Sequence, residues 1–453
     1  MANATVNVQT YLNQLPFSSR QRLVLWLCFL VVAVDGFDTA AIGFVAPSLR
    51  AEWGLTAAEL APLFGAGLVG LMAGALIFGP LADRLGRKVI LVWSVAFFGL
   101  MSLISMWAPD LSTLVVLRFL TGLGLGGAMP SAITMTSEYC PEQRRSRLVT
   151  LMFCGFTLGS ALGGLASAQI LAQFGWRGVF FLGGVLPLAL VPFLVVLLPE
   201  SLRFLVLRNR PHEQIQKIVR LLNPAEHTVP RFVANEVQGS TPIAELFRAP
   251  YAAGTALLWL AFFMSLLIIY LISSWLPTLL TSAGSSVSKA SVVTSVFQIG
   301  GTIGAILLGR WMDNIGSSRT LSLAYAAGAG FVVLCGLGST NLTLLVLAVF
   351  GVGFCISGSQ VGVNALAASF YPTSSRATGV SWANAAGRTG SVVGSISGGW
   401  LMSMNFDMAA ILSLLAIPAV IAALAIGLMG RFVANRDTDA AIADLMQKKA
   451  NGG

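Results

Sequence analysis

Two carboxylates, Asp35 and Asp38, lie in the middle of the first long apolar stretch of this chain. The residues around them would otherwise cross a bilayer without difficulty, and an ionisable side chain near the bilayer centre costs between about 3 and about 15 kcal/mol. Such side chains usually face a bundle interior or a water-filled path, and they usually have a partner. We therefore expect Asp35 and Asp38 to lie on a path for protons and substrate.

The elements that position these residues follow from composition. Of the 453 residues, 56% are hydrophobic and only 10% are charged, which is too apolar for one soluble core and indicates an integral membrane protein. A helix needs about 20 apolar residues to cross the hydrocarbon layer. Windows of this length predict about twelve helices, over 22–46, 58–80, 88–108, 111–138, 147–172, 178–198, 251–281, 288–310, 319–339, 342–369, 376–402 and 407–430.

The basic residues set the orientation of these segments. The net charge is +9, but the lysines and arginines are spread over alternate loops and do not form the single patch expected of a nucleic-acid-binding protein. Only Arg50, Arg177 and Lys289 fall in the opposite set of loops. The positive-inside rule therefore predicts a multi-pass membrane protein with both termini in the cytoplasm.

Two arginines, Arg118 and Arg388, lie inside predicted helices. Helix arithmetic places Asp35 about 20 Å from the inner face and Arg118 about 10 Å from the outer face, which is the same depth. We expect Asp35 and Asp38 to include a proton carrier whose charge Arg118 modulates. A static ion pair that locks the two helices together is the alternative.

The chain repeats itself across a polar stretch at 199–250. The run from Gly79 to Lys88 after segment 2 is matched by Gly309 to Arg319 after segment 8. Matched repeats in two hydropathy-matched halves are typical of secondary transporters. The expected organisation is an N-terminal six-helix half (1–198), a cytoplasmic central loop (199–250), a C-terminal six-helix half (251–430) and a cytoplasmic tail (431–453).

These motifs carry a family resemblance over essentially the whole chain. The run from Gly79 to Lys88, the Arg118 to Gly127 motif and the Leu198-Pro-Glu-Ser run resemble signatures of the major facilitator superfamily. The run from Asp35 to Pro47 is similar to the aromatic acid:proton symporters, and most closely to bacterial 4-hydroxybenzoate and protocatechuate transporters. The resemblance implies an all-α fold of twelve transmembrane helices in two pseudo-symmetric halves.

A substrate site follows around Arg388, which lies near the membrane midplane. A planar guanidinium binds a carboxylate in bidentate fashion, and an aromatic acid needs such an anion clamp, an apolar slot and a polar tip. Ser381 and Asn384 share a helix face with Arg388, and Gln298 lies at a similar depth, where it can bond a ring hydroxyl. The aromatic candidates for lining the slot are Phe297, Trp275, Tyr270 and Trp382. Of these we expect Trp275 and Tyr270 to belong to the site.

The superfamily resemblance also implies a cytoplasmic gate. Asp83 would bond to the start of segment 11 and to Arg376, while Asp313 would bond toward Arg145. Glu138 lies about 30 Å from Arg118 along its helix, so we expect it to meet Arg145, Arg147 or another basic residue instead. The full set of expected gate residues is Gly79, Asp83, Arg84, Gly86, Arg87, Glu138, Arg145, Asp313 and Arg376.

The expected function is proton-coupled import of an aromatic carboxylate such as 4-hydroxybenzoate or protocatechuate by alternating access. Alternatives are another aromatic or ring-cleavage acid (gentisate, benzoate, vanillate or muconate) and a drug or metabolite:proton antiporter. No nucleophile and base pair supports an enzyme, and no catalytic residue, metal site or cofactor is expected. The expected partners are the acid anion, protons and the lipid bilayer, with the protein as a monomer.

Overall fold

The helices of the computed structural model match the predicted segments. It describes residues 5–223, 231–233, 243–248, 251–338, 341–371 and 375–431. Its elements are β1 (Thr5–Asn7), α1 (Val8–Gln14), α2 (Ser19–Trp53), α3 (Ala57–Leu85), α4 (Arg87–Ser105), α5 (Leu111–Tyr139), α6 (Arg145–Leu197), α7 (Leu202–Leu207), α8 (His212–Leu222), β2 (Arg231–Val233), α9 (Ile243–Leu246), α10 (Ala252–Ser282), α11 (Val287–Ile315), α12 (Ser317–Leu337), α13 (Leu342–Val352), α14 (Gly358–Phe370), α15 (Arg376–Ser403) and α16 (Met408–Leu414).

Ten helices within the described ranges are long and apolar enough to cross a membrane. One of them, Arg147–Leu197, has 51 residues and is broken at Gly175, whose φ of 65° is left-handed, so it is long enough for two crossings. Helix α15 has 28 residues but is more polar than the ten. With α15 and the divided α6, the fold is consistent with the twelve predicted crossings.

Capping residues explain where the first membrane helices begin. Ser18 accepts a hydrogen bond from the Gln21 amide, and the Gln21 side chain accepts from the Ser18 amide, which forms a capping box before α2. Thr56 and Glu59 form the same motif before α3. Each box satisfies backbone donors that the first helical turn leaves without partners.

The chain divides into two compact units. Unit 1 comprises Met1–Val237 and Ser273–Ser295, and unit 2 comprises Gln238–Ile272 and Val296–Gly453. In this division the end of α10 and the start of α11 belong to unit 1. The expected organisation into two six-helix halves separated by a central loop at 199–250 stays a prediction. Within unit 1 the Phe64 ring lies 4.8 Å from the Trp275 ring, and a Cβ at Gly43 would overlap the Ser273 carbonyl.

Glycines set the close packing of helices within unit 1. A Cβ at Gly36 of α2 would overlap the Phe156 carbonyl of α6, and a Cβ at Gly159 of α6 would overlap the Ala33 carbonyl of α2. Small residues at such crossings allow helix backbones to approach closely in a membrane. This crossing holds the centre of α2, which carries Asp35 and Asp38, against α6.

A small parallel ladder is a part of the fold that the sequence reading did not predict, as are the short helices α1 and α7 to α9. Strands β1 and β2 pair in register from Thr5 opposite Arg231 to Asn7 opposite Val233. The Tyr11 ring of α1 meets the Phe232 ring edge-on at 5.1 Å. The strands are too short to show alternation in the sequence, so their pairing depends on the packing of the first unit.

Candidate functional site

Unit 1 contains a buried ion pair between α2 and α5. The Arg118 Nη1 atom lies 3.2 Å from Asp38 Oδ2, and the two side chains are 4% and 3% exposed. The Ser102 hydroxyl of α4 donates to Asp38 Oδ1 at 2.6 Å. The carboxylate therefore receives hydrogen bonds from two neighbouring helices, which is how a buried charge offsets part of its desolvation cost.

The guanidinium of Arg118 is held from several sides. Its Nη2 donates to the Ser105 hydroxyl at 3.1 Å and to the Thr121 hydroxyl at 3.0 Å. The Phe180 ring of α6 lies 4.7 Å from the guanidinium carbon, within cation–π range. These groups fix the position of the cation through hydrogen bonds and a ring contact as well as through its ionic partner.

Asp35 lies one helical turn before Asp38 and is fully buried. The Thr39 hydroxyl donates to its Oδ1 at 3.2 Å. The depth estimate matched Asp35 to Arg118, whereas the ion pair forms with Asp38. Depth arithmetic gives the height of a residue along its helix, but the direction of the side chain decides which of two carboxylates three residues apart reaches the guanidinium.

The second group of predicted residues lies in unit 2. Arg388 Nη1 donates to the Tyr270 hydroxyl at 3.1 Å, which joins α15 to α10. Asn384 lies one turn before Arg388, and its Nδ2 donates to the Asn364 side-chain oxygen at 3.0 Å. The structure therefore brings together Arg388, Tyr270 and Asn384 of the predicted site. It adds Asn364 of α14, which was not predicted. Ser381 is exposed, and Gln298 of α11 is 5% exposed.

The tryptophans considered for the slot have different environments. Trp275 is fully buried and belongs to unit 1, where it packs against Phe64. Trp382 is 40% exposed and stacks on Trp259 with a ring separation of 6.1 Å. A role for Trp275 in lining a substrate slot stays a prediction.

The predicted gate residues of unit 1 form a network at the junction of α3, α4 and α5. Arg87 Nη2 lies 2.8 Å from Asp83 Oδ1, and Arg87 Nε lies 3.6 Å from Glu138 Oε2. The Ser201 hydroxyl donates to the same Glu138 oxygen at 2.5 Å. Glu138 thus meets a basic residue, but this residue is Arg87; Arg145 instead donates to the Gln9 side chain at 2.6 Å.

Glu200 is a member of this network that the sequence reading missed. Its carboxylate accepts hydrogen bonds from the Lys88 amide at 3.2 Å and the Ser201 amide at 2.9 Å, and burial raises the pKa of the Glu200 carboxyl. Gly86 has a φ of 116°, and a Cβ there would overlap the Glu200 carboxylate. The Gly86 position therefore needs glycine for its backbone conformation and for this close approach.

The remaining gate residues lie on the surface of their own units. Arg84, Asp313 and Arg376 are exposed, and nothing approaches within 4 Å of a Cβ built at Gly79. The contacts expected of Asp83 with Arg376, and of Asp313 with Arg145, would join the two units and stay predictions.

The residues that the sequence reading missed around Arg118 share one property. Ser102, Ser105 and Thr121 are polar residues inside apolar helices, and each is buried. Ser102 and Ser105 lie three residues apart on α4, and Thr121 lies three residues after Arg118 on α5, so each pair shares a helix face. This spacing was a usable signal for the site, whereas Phe180 lies in an apolar run without any distinguishing signal.

Comparison with known proteins identifies the family of the chain. The Major Facilitator Superfamily model matches residues 28–286 and 258–444. The gallate transporter of Pseudomonas putida is 46% identical over 94% of this chain and 95% of its own length. The 4-hydroxybenzoate transporter PcaK of Pseudomonas aeruginosa is 44% identical over 94% of this chain and 96% of its own length.

Solved structures show the same architecture at low identity. The xylose transporter XylE from E. coli, in a partially occluded inward open conformation, matches 92% of this chain and 98% of its own with a TM-score of 0.70 at 19% identity. At this identity the likeness concerns the fold alone. With the family match and the close relatives, it leads to one conclusion: this chain is a multi-pass membrane transporter that belongs to the major facilitator superfamily.

Proposed function

We propose that this protein is a proton-coupled importer of hydroxylated aromatic carboxylates such as 4-hydroxybenzoate, protocatechuate or gallate. Two observations carry the proposal: the buried ion pair of Asp38 with Arg118 in unit 1, and the half-buried Arg388 that donates to Tyr270 in unit 2. Relatives at 44% and 46% identity are transporters of 4-hydroxybenzoate and gallate, which supports the substrate class.

The proton path rests on the carboxylates of α2. Asp35 and Asp38 are both buried, and Asp38 is paired with the fixed Arg118 cation. Among the described spans, α2 is the only helix that carries two carboxylates at its centre. A buried carboxylate gains from taking up a proton when its cationic partner is withdrawn or bound elsewhere. A change in the Asp38 to Arg118 bond during the transport cycle would therefore load or release the proton.

The substrate would be held by Arg388. A guanidinium offers a planar pair of donors that matches a carboxylate, and the Tyr270 hydroxyl accepts one of its bonds and orients it. The Asn384 and Asn364 amides bond to each other one turn away, so they stabilise the helix pair that carries Arg388. The anion would bind to Arg388 while the ring lies along the apolar surface of the same unit.

The proton gradient would supply the energy, with no bound cofactor. Import of a monovalent anion together with one proton is electroneutral, so two or more protons are needed to exploit the membrane potential. We place the protein in the bacterial cytoplasmic membrane with both termini in the cytoplasm. The network of Arg87, Asp83 and Glu138 would act as a conformational latch at the cytoplasmic ends of α3 to α5.

The test is uptake of radiolabelled 4-hydroxybenzoate by cells that express the chain, with and without a protonophore. We expect accumulation that the protonophore abolishes, that Asp35→Asn abolishes and that Arg388→Ala abolishes. Arg248→Ala is the matched control, because Arg248 is exposed in the same unit as Arg388 and has no part in either site. Membrane abundance is measured for each variant.

Protonophore-sensitive accumulation that survives Asp35→Asn would refute Asp35 as a carrier on the proton path. Accumulation that survives Arg388→Ala would refute the anion clamp. If the wild type is correctly inserted and accumulates no hydroxybenzoate, the substrate assignment is wrong.

A further inference from the structure

A buried hydrogen-bond acceptor lies on α14, the helix that packs against α15, which carries Arg388. The Oε1 atom of Gln360 is buried and accepts no hydrogen bond within the part of the chain that the structure describes. A buried amide oxygen without a donor carries a desolvation cost that a hydrogen bond would remove. In a binding protein, such an atom is a candidate contact for a donor on the ligand.

The asparagine pair gives the level of Gln360 in the helix bundle. Asn384 of α15 donates to Asn364 of α14, and Asn364 Nδ2 also donates to the Gln360 backbone carbonyl at 2.9 Å. Only residues 371–375 separate α14 from α15, so the two contacting helices run antiparallel.

Helix arithmetic then places Gln360 beside Arg388. Gln360 lies four residues before Asn364, and Arg388 lies four residues after Asn384. In antiparallel helices both steps lead in the same direction, by about 6 Å each. Gln360 and Arg388 are therefore at one depth on neighbouring helices, and the two asparagine amides bond to each other about one turn away from them.

We infer that Gln360 is the specificity residue of the substrate site, accepting a hydrogen bond from a ring hydroxyl of an aromatic acid whose carboxylate binds Arg388. This inference rests on the proposed function. A benzene ring separates its carboxylate from a meta or para hydroxyl by a distance on the order of one helical turn, which suits two side chains at one level on adjacent helices. The hydroxyl supplies the donor that Oε1 lacks, and the unsubstituted ring of benzoate does not.

The competing candidate is Gln298, the amide that the sequence reading assigned to the ring hydroxyl. It lies on α11 in the same unit, so the two glutamines form a matched pair. Gln360→Met and Gln298→Met keep the length of each side chain and remove its hydrogen-bonding groups. The experiment measures the KM for labelled 4-hydroxybenzoate uptake and the inhibition constant of unlabelled benzoate in the same cells.

The readout is the preference for 4-hydroxybenzoate over benzoate, given by the ratio of the benzoate inhibition constant to the KM for 4-hydroxybenzoate. This ratio does not depend on how much protein reaches the membrane. We expect Gln360→Met to lower this preference about tenfold, the effect of losing one buried hydrogen bond, while benzoate still inhibits as in the wild type. A lower preference in both variants would support the contact of Gln360 with the ring hydroxyl and would add Gln298 as a second contact.

An unchanged preference in Gln360→Met would overturn the inference, whatever Gln298→Met shows. Equal weakening of both acids would also overturn it, because that result indicates a structural role for the amide. These failures are distinct from failure of the proposed function, in which the wild type itself would not accumulate 4-hydroxybenzoate.

Discussion

The ion pair between Asp38 and Arg118 allows a quantitative prediction about stability. Asp38→Asn keeps the shape and hydrogen-bonding capacity of the side chain and removes its charge, and Arg118→Gln removes the opposite charge. Each single variant leaves one buried charge without its ionic partner, while the double variant leaves none. We expect each single variant to be clearly less stable than the wild type, and the double variant to be more stable than the sum of the two losses implies.

The separation of 3.2 Å sets the magnitude. At an effective dielectric constant of about 20, two unit charges at this distance attract by about 5 kcal/mol. Because an asparagine oxygen still accepts from Arg118, we expect about half of this free energy, 2 to 3 kcal/mol, to be lost in Asp38→Asn. The interaction free energy from the double-mutant cycle should be about 2 kcal/mol, within the range for contacting residues.

The assay is reversible unfolding of purified protein in mixed detergent and SDS micelles. The chain offers a control pair in Glu52 and Arg177, whose charged atoms are 2.9 Å apart but whose side chains are 43% and 47% exposed. Exposed pairs are worth at most about 1 kcal/mol, so Glu52→Gln with Arg177→Gln should show a much smaller interaction. Additive losses at Asp38 and Arg118, or equal interactions in the two cycles, would refute the reasoning.

Three further changes test other parts of the structure. Tyr270→Phe removes the hydroxyl that accepts from Arg388, so the KM for 4-hydroxybenzoate should rise about three- to tenfold; uptake kinetics with an unchanged KM would contradict an orienting role. Gly159→Ala would force α2 and α6 apart and should reduce the free energy of unfolding by at least about 2 kcal/mol. The control is Gly330→Ala, which should be neutral or stabilising because nothing lies within 4 Å of a Cβ built there. Similar losses of stability in the two variants would count against the tight crossing. Burial holds the pKa of the Glu200 carboxyl in the folded protein above its value in the unfolded chain. The stability that this carboxyl contributes is therefore fully present below the unfolded pKa and is lost as pH rises through the folded pKa. As pH rises above the unfolded pKa of a glutamate, about 4.3, the melting temperature of the wild type should therefore fall relative to that of Glu200→Gln. Parallel pH dependences of the two melting temperatures would argue against this.

The helices were predictable because crossing a bilayer requires long apolar segments. The predicted segment 111–138 and the observed Leu111–Tyr139 differ by one residue, and segment 376–402 and Arg376–Ser403 also differ by one. Predicted segments 147–172 and 178–198 leave a gap that contains Gly175, the break in α6. In these cases the physical constraint is the length of apolar sequence needed to cross the bilayer, and it can be read directly from the sequence.

The site was less predictable, because contacts depend on which way side chains point. Charge and depth identified Asp38 and Arg118, yet the choice between Asp35 and Asp38 depended on helix rotation. Glu138 meets Arg87, a residue far from it in sequence, which no spacing rule indicates. Gln360 showed no sequence signal, since its feature of interest is a missing hydrogen bond.

The parallel ladder of β1 and β2 has a consequence for biosynthesis. Strand β1 leaves the ribosome first, but β2 follows more than two hundred residues later, after all the helices from α2 to α8. At about 5 to 20 residues per second the first strand waits on the order of 10 to 40 s for its partner. The amino-terminal strand can therefore pair with β2 only after the helices α2 to α8 have been synthesised.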